Sequence, residues 1–248
     1  MLPIISSSTY QLLPRDPSLV CWYKGDQPLG PGVALPDDDS EISFLFDNSG
    51  NNNHLIKTAN GPLFKTNVQN GLPVIRFSSE FLYILNSNAL RNCSGKSCFL
   101  VAKSTNAGTD EFLFSASSGI STTARRFSMA RVGGTYTAFG RRLDEDDNDG
   151  PEGGIVVDGS FVYNRSVHNH ITNVATIYAN GVLLNSYSGF SSVGLTSDTP
   201  SLTLSLGALY NGGFPFDGDI AELLLYRRPV SSEEEILIET YVKNKWGL

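Results

Sequence analysis

The chain has 248 residues, 40% of them apolar, and 25 acidic against 18 basic side chains give it a formal charge of −7. That length holds one large β domain or two small ones, and the apolar share supports a substantial core. The acidic balance gives no counterion-release affinity for phosphate backbones, which excludes nucleic acid as a partner; with no run of about 18 apolar residues, membrane insertion through a helix is excluded as well.

Residues 1–17 read as an extended arm. Pro3, Pro14 and Pro17 remove backbone donors and bias their predecessors toward extended shapes, while Leu2, Ile4, Ile5, Tyr10, Leu12 and Leu13 follow neither a strand nor a helix period. The arm has no basic leader, so it reads as an attachment element and not as a secretory signal. A domain over 18–248 follows. Its first strand is Ser18–Tyr23, then a Pro/Gly/Asp loop, an apolar run at Ile42–Phe46 and a dense turn from Asp47 to His54. Strands are expected at Pro73–Phe77 and Phe81–Leu85. Ser97–Lys103 is nearly all apolar and reads as a central strand buried on both faces.

Glu111–Ser115 comes next, then Arg126–Val132 and Thr135–Phe139, joined by the hairpin pair Gly133-Gly134. Ile155–Val157, Phe161–Asn169, and Ile171–Tyr178 with Val182–Tyr187 about Asn180-Gly181 continue the pattern. Leu202, Leu204 and Leu206 alternate with Thr203 and Ser205, as in a half-buried strand. The one expected helix covers about 232–245: Ser231 with Glu234, or Ser232 with Glu235, makes a capping box, and Ile236, Tyr241 and Val242 are expected on its buried side with Trp246 as a terminal anchor. Short strands without long helices between them define an all-β, two-sheet antiparallel sandwich with one short C-terminal helix. Cys21, Cys93 and Cys98 are too few for a disulfide framework, although the spacing of Cys93 and Cys98 leaves a small closed loop open as an alternative.

Several segments carry a resemblance in order along the chain: Leu19-Val-Cys-Trp-Tyr, Phe46-Asp-Asn-Ser-Gly-Asn-Asn-Asn-His, Gly71-Leu-Pro-Val-Ile-Arg-Phe, Tyr178-Ala-Asn-Gly-Val, Leu206-Gly-Ala-Leu-Tyr-Asn-Gly-Gly and Gly213-Phe-Pro-Phe-Asp-Gly-Asp. Together they resemble the laminin-G-like, concanavalin A-like lectin/glucanase jelly rolls found as modules in bacterial and phage proteins. The resemblance implies a jelly roll of two curved sheets that recognises a surface. It fixes no ligand, because the fold hosts lectins, glycosidases and structural domains.

Glycosidases need two carboxyls across a groove. The Glu-x-Asp-x-x-Glu strand pattern of catalytic members is absent; the nearest match, Asp217-Gly-Asp219, reads as strand entry, so no catalytic residue is expected. Glycan recognition combines an aromatic wall with a few polar groups. Tyr210, Asn211 and Phe214 supply these in one loop, and Arg141 and Arg142 supply further donors. Arg76 and Arg126, inside apolar strands, are expected as buried partners of acidic residues. The acidic run holding Asp144, Asp146 and Asn148 has the oxygen-rich alternation of a calcium loop but no bidentate Glu at its end, and Asp47 marks a second such point. The cofactor expectation is therefore none, or a structural calcium.

These readings converge on a non-catalytic recognition module, a glycan-binding or adhesion component of a phage virion or cell-surface assembly. The alternatives are a structural virion protein (capsid decoration, cement or tail appendage) that binds other subunits and, ranked lowest, a glycoside hydrolase. Partners are expected among cell-surface glycans and the protein subunits of a larger assembly, with the chain an oligomer within it, and the location is the virion or an extracellular surface.

Overall fold

The computed structural model describes residues 16–106, 109–121, 125–155, 159–199 and 202–248. The expected arm lies outside them except for Asp16 and Pro17, and Val156 and Val157 of one expected strand lie outside them too. In chain order the strands are β1 (Leu19–Lys24), β2 (Phe44–Leu45), β3 (Leu55–Lys57), β4 (Leu63–Gln69), β5 (Leu72–Ser78), β6 (Leu82–Ser87), β7 (Gly95–Ser104) and β8 (Glu111–Ser117). They continue with β9 (Arg125–Val132), β10 (Thr135–Gly140), β11 (Glu152–Ile155), β12 (Val162–Asn169), β13 (Val174–Ala179), β14 (Val182–Tyr187), β15 (Leu202–Leu206) and β16 (Asp217–Tyr226), and the chain closes with helix α1 (Ser232–Trp246). Among the described residues no helix is long and apolar enough to cross a membrane.

Two antiparallel sheets form the sandwich. The first runs β14-β13-β12-β7-β16-β5-β4, and the second β11-β10-β9-β8-β15-β6-β3-β2. The long strand β16 organises the first sheet. One side pairs with β7; on the other, Asp217–Ile220 pairs with β5 and Glu222–Tyr226 with β1. The first and last strands are therefore neighbours, as expected. Gly218 lets β16 lie close against β7: it has φ +152°, and a Cβ there would sit 2.1 Å from the Lys103 carbonyl. The hairpin from β13 to β14 turns on Asn180 and Gly181, both left-handed at φ 50° and 86°, the backbone that Asn-Gly pairs favour.

Between the sheets lies the main core, which includes Phe64, Phe77, Phe114, Phe127, Leu204 and Leu223. A second cluster covers the outer face of the first sheet, where Trp22, Phe99, Tyr163 and Leu224 meet Ile238, Val242 and Trp246 of α1. Each such large apolar side chain contributes roughly 1.5–3 kcal/mol by leaving water. Helix α1 starts as expected: Ser231 accepts from Glu234 N, and the Glu234 side chain returns to the Ser231 backbone.

Three expectations need correction, at Ile236, at β15 and at Arg76. Ile236 is 66% exposed, and Ile238 takes its place in the buried stripe; two residues correspond to about 200° around a helix, so both cannot face the sheet. Strand β15 is buried on both faces, Thr203 and Ser205 included, because it is central between β8 and β6 and its outer face is overlain. All three cysteines are free and buried, in keeping with the expected lack of a disulfide framework, and the small Cys93–Cys98 loop left open is not closed. Arg76 is half-exposed while its partner Asp219 is buried, whereas Arg126 is buried as expected. The sequence reading also passed over β3 and β4, whose short or polar stretches lack a clear alternation.

Candidate functional site

The loop between β15 and β16 folds back over the outer face of the second sheet. Gly207 N donates to Leu113 O at 2.9 Å, and Ser115 Oγ donates to Ala208 O at 3.3 Å. Leu209 is then buried with Phe112 and Ala130, and Val132, Phe139 and Tyr210 pack against this small cluster. A single 3-10 turn at Tyr210–Gly212 follows, closed by Leu209 N to Gly213 O at 2.8 Å. Asn211 takes a left-handed backbone, φ 59°, and is exposed at the tip. Phe214 is 46% exposed, and its ring lies 5.7 Å from that of Phe112. Phe81 lies against Gly212, and exposed Ile120 comes within van der Waals reach of Gly213. The outcome is an exposed apolar rim with an amide at its centre, standing on a packed base.

Beneath this rim lies a row of small hydroxyls. Strand register aligns Phe139, Ser128, Ser115, Ser205 and Tyr83 across β10, β9, β8, β15 and β6. At a strand spacing of about 4.8 Å the three serines span roughly 10 Å. All three are fully buried, and the hydroxyls of Ser128 and Ser205, with those of neighbouring Ser117 and Thr137, have no hydrogen-bond partner among the described residues. Sequence reasoning missed this row. Its signal is the placing of a hydroxyl between large apolar residues, as in Phe127-Ser128-Met129 and Leu204-Ser205-Leu206.

Arg141 and Arg142 are not brought to the Tyr210 loop. Arg141 N bonds Arg126 O at the far end of the β9–β10 hairpin, four residues from Ala130 and so roughly 14 Å along the strand. Arg141 is buried, and its guanidinium reaches the Asp144 carboxylate at 3.0 Å. Arg142 donates to Ser192 Oγ at 3.0 Å and Leu195 O at 2.9 Å. Both hold loops in place.

Of the residues of the calcium reading, Asp144, Asp146 and Asp47 are engaged by protein donors, while the buried Asn148 Oδ1 has no partner among the described residues. The Asp144 carboxylate is held by Arg126 at 2.5 Å, by Arg141 and by Thr199. Burial would raise its carboxyl, but the Thr199 and Arg126 hydrogen bonds and the two arginine charges outweigh that and hold it below the usual range. Asp146 accepts from Leu143 N at 2.9 Å and Ser191 Oγ at 2.6 Å, and Asn148 is buried. Asp47 closes its own turn through Trp22 N, Ser49 and Asn53 N. Among the described residues no group of three His, Cys, Asp or Glu is placed to hold a metal.

The Asp217-Gly-Asp219 pair is likewise structural. Asp219 is fully buried between Arg76, bidentate at 2.6 and 3.0 Å, and Lys103 at 2.6 Å. Asp217 Oδ2 accepts from Asn106 Nδ2 at 3.2 Å.

Two packed antiparallel sheets with a loop-borne aromatic rim are the architecture of lectin-type β-sandwiches. Residues 97–236, more than half of the chain, match the concanavalin A-like lectin/glucanases superfamily, and the chain belongs to it. No curated protein sequence matches it. Among solved structures, it is similar to the CBM40 of Ruminococcus gnavus IT-sialidase bound to α2,3-sialyllactose, at 18% identity and TM-score 0.50 over 60% of this chain and 83% of that one. It is also similar to the binding domain of Paraclostridial Mosquitocidal Protein 1, at 13% identity and TM-score 0.61 over 92% of this chain and 53% of that one. The receptor-binding domain of botulinum neurotoxin mosaic serotype C/D gives 13% identity and TM-score 0.59 over 90% and 51%. This chain thus spans about half the length of both toxin domains.

Proposed function

We propose that the chain is a non-catalytic carbohydrate-recognition module that binds a surface glycan through the Tyr210–Phe214 loop. One observation carries the reading: a half-exposed aromatic, Phe214, and an exposed amide, Asn211, share a short loop fixed to the sheet by buried Leu209. A sugar ring stacks its C–H face on the aromatic, and the amide reads a neighbouring hydroxyl. The likeness to a sialidase module bound to a sialylated trisaccharide and to toxin binding domains supports the class, though not the particular sugar. The engagement of Asp217 and Asp219 by internal partners supports a role without hydrolysis.

The test is a glycan array followed by calorimetry on the best ligand. Phe214→Ala and Asn211→Ala should each weaken binding by about tenfold, with the melting temperature unchanged. An array without signal above background overturns the reading, as does full affinity in both variants.

The assembly reading, in which the module is a virion or cell-surface component docked to other subunits, draws on Ile236 and Leu237, which helix α1 turns outward at 66% and 44% exposure. Light scattering of the wild type and of Ile236→Glu tests it: a monomeric wild type at high concentration removes it.

A further inference from the structure

A second pocket, away from the Tyr210 loop, has its own chemistry. It opens where β1, the Asn-rich turn before β3 and the end of β6 meet, with a volume of about 310 Å³. Pro17, Ile84 and Ala89 give it an apolar wall. Asn51, Asn86, Asn88 and Arg227 supply its polar groups. Some of their atoms are already engaged. Asn51 Nδ2 donates to Leu19 O at 2.5 Å, Asn88 Oδ1 accepts from Arg91 Nη1 at 3.2 Å, and Arg227 Nη2 donates to Arg91 O at 2.9 Å. Among the described residues this leaves Asn51 Oδ1, both ends of the Asn86 amide, Asn88 Nδ2, and Nε and Nη1 of Arg227 without partners. Arg227 is exposed and forms no ion pair with a described carboxylate, in contrast to its neighbour Arg228, which pairs with Asp16 and Glu234.

We infer that this pocket binds a sugar bearing one carboxylate, a uronic-acid-type unit, with the Arg227 guanidinium on the carboxylate and the Asn amides on the hydroxyls. Three features select that class. The amides offer both donors and acceptors, as vicinal hydroxyls require. The planar guanidinium, held through one Nη2 hydrogen by Arg91 O, keeps its Nε and Nη1 donors and the second Nη2 hydrogen for a carboxylate. There is a single unpaired cation, and the chain carries a net charge of −7, which disfavours polyanions. The apolar wall faces the C–H side of the ring, and the open mouth lets a glycan continue outward. This site is additional to the Tyr210 loop and stands or falls apart from it.

The experiment is an NMR titration of the full chain with methyl β-D-glucuronide and, separately, methyl β-D-glucoside, which differ at C6 alone. The glucuronide should move the side-chain amide signals of Asn86 and Asn88 and bind on the order of tenfold more tightly than the glucoside. Arg227→Gln should erase that difference, and Arg227→Lys should retain part of it. Because Arg227 is exposed, both variants keep the fold, which an unchanged spectrum elsewhere verifies. Equal affinity for the two sugars, or a difference that survives Arg227→Gln, overturns the inference. Shifts confined to the Tyr210–Phe214 loop also overturn it, while leaving glycan recognition by that loop intact; no shifts here together with a positive array give the same separation.

Discussion

Removing one carboxylate should loosen the whole outer layer of the first sheet. Glu222 is 1% exposed on β16. Its Oε1 accepts from Trp22 Nε1 at 2.6 Å and Tyr241 Oη at 2.7 Å, and its Oε2 accepts from Trp246 Nε1 at 2.7 Å and Lys245 Nζ at 2.9 Å. Three of these donors sit on α1 and one on β1, so a single side chain joins two strands and the helix. Glu222→Ala leaves the Trp22 and Trp246 indole N–H groups without their acceptor and takes one acceptor each from Tyr241 and from Lys245, which keeps Asp26 at 2.7 Å. Breaking a buried, charged network of this kind costs about 3–5 kcal/mol, a large part of the 5–15 kcal/mol typical of a whole domain. At roughly 2–4 °C per kcal/mol for a chain of this size, the melting temperature should fall by about 6–20 °C. Glu222→Gln should cost less, since one oxygen still accepts, but its amide nitrogen would face two donors. Calorimetry gives the melting temperature. Tryptophan emission gives a local readout, because the chain has two tryptophans and both bond this carboxylate. A fall of less than about 2 °C in Glu222→Ala with unshifted emission would refute the reasoning and leave apolar burial as the sole attachment of α1.

Two further outcomes follow from buried polar groups. Burial, then the charge of Lys96, holds fully buried His168 down to about 3 from its ordinary 6.5; the unfolded chain therefore takes up a proton that the fold refuses, and stability should fall by up to about 1.4 kcal/mol per pH unit as pH drops from 6.5 toward 3. Burial likewise lowers Lys96 to about 7, which adds a rise in stability as pH climbs from 7 to 10.5; urea midpoints across the range check both, His168→Phe making the acid limb shallower, since buried His170 is also held low and still contributes, and Lys96→Met flattening the alkaline one, and a flat wild-type profile would contradict the account. Ser128→Ala and Ser205→Ala remove hydroxyls that are buried without partners among the described residues, so each should leave the urea midpoint unchanged or raise it by an amount worth up to about 1 kcal/mol; a clear loss in either would mean that the hydroxyl has a partner.

Much of the architecture was legible because local chemistry and tertiary structure agree. Gly133-Gly134 and Asn180-Gly181 are hairpin turns in the fold as in the sequence, and Ser231 with Glu234 starts the helix. Reading failed where the decisive partner is remote. Nothing in Ile236-Leu-Ile238 says which isoleucine meets the sheet, since that depends on where Trp22, Tyr163 and Leu224 stand. Thr203 and Ser205 imitate a solvent face, and a loop that folds back after β15 covers it. The Tyr210 loop was legible as aromatics and amide close in sequence. The Asn–Arg pocket was not, because its walls come from β1, the turn near Asn51, the end of β6 and the residue after β16.

The acidic residues show why composition could not settle catalysis. A glycosidase acid must keep its proton at working pH and still reach the substrate. Glu111 meets the first condition in part, since burial pushes its carboxyl above the usual range against the hydrogen bonds of Ser104 and Asp217 N and the charge of Arg131. It fails the second: it is 1% exposed, with Ser104 Oγ at 2.5 Å and Arg131 at 3.4 Å. Asp217 is more accessible but is tied to Asn106, and Asp219 is clamped between two cations. Access and proton retention thus fall on different side chains, and each carboxylate bonds the strands beside it. The same chemistry that would make these acids useful to an enzyme here fastens β16 into its sheet.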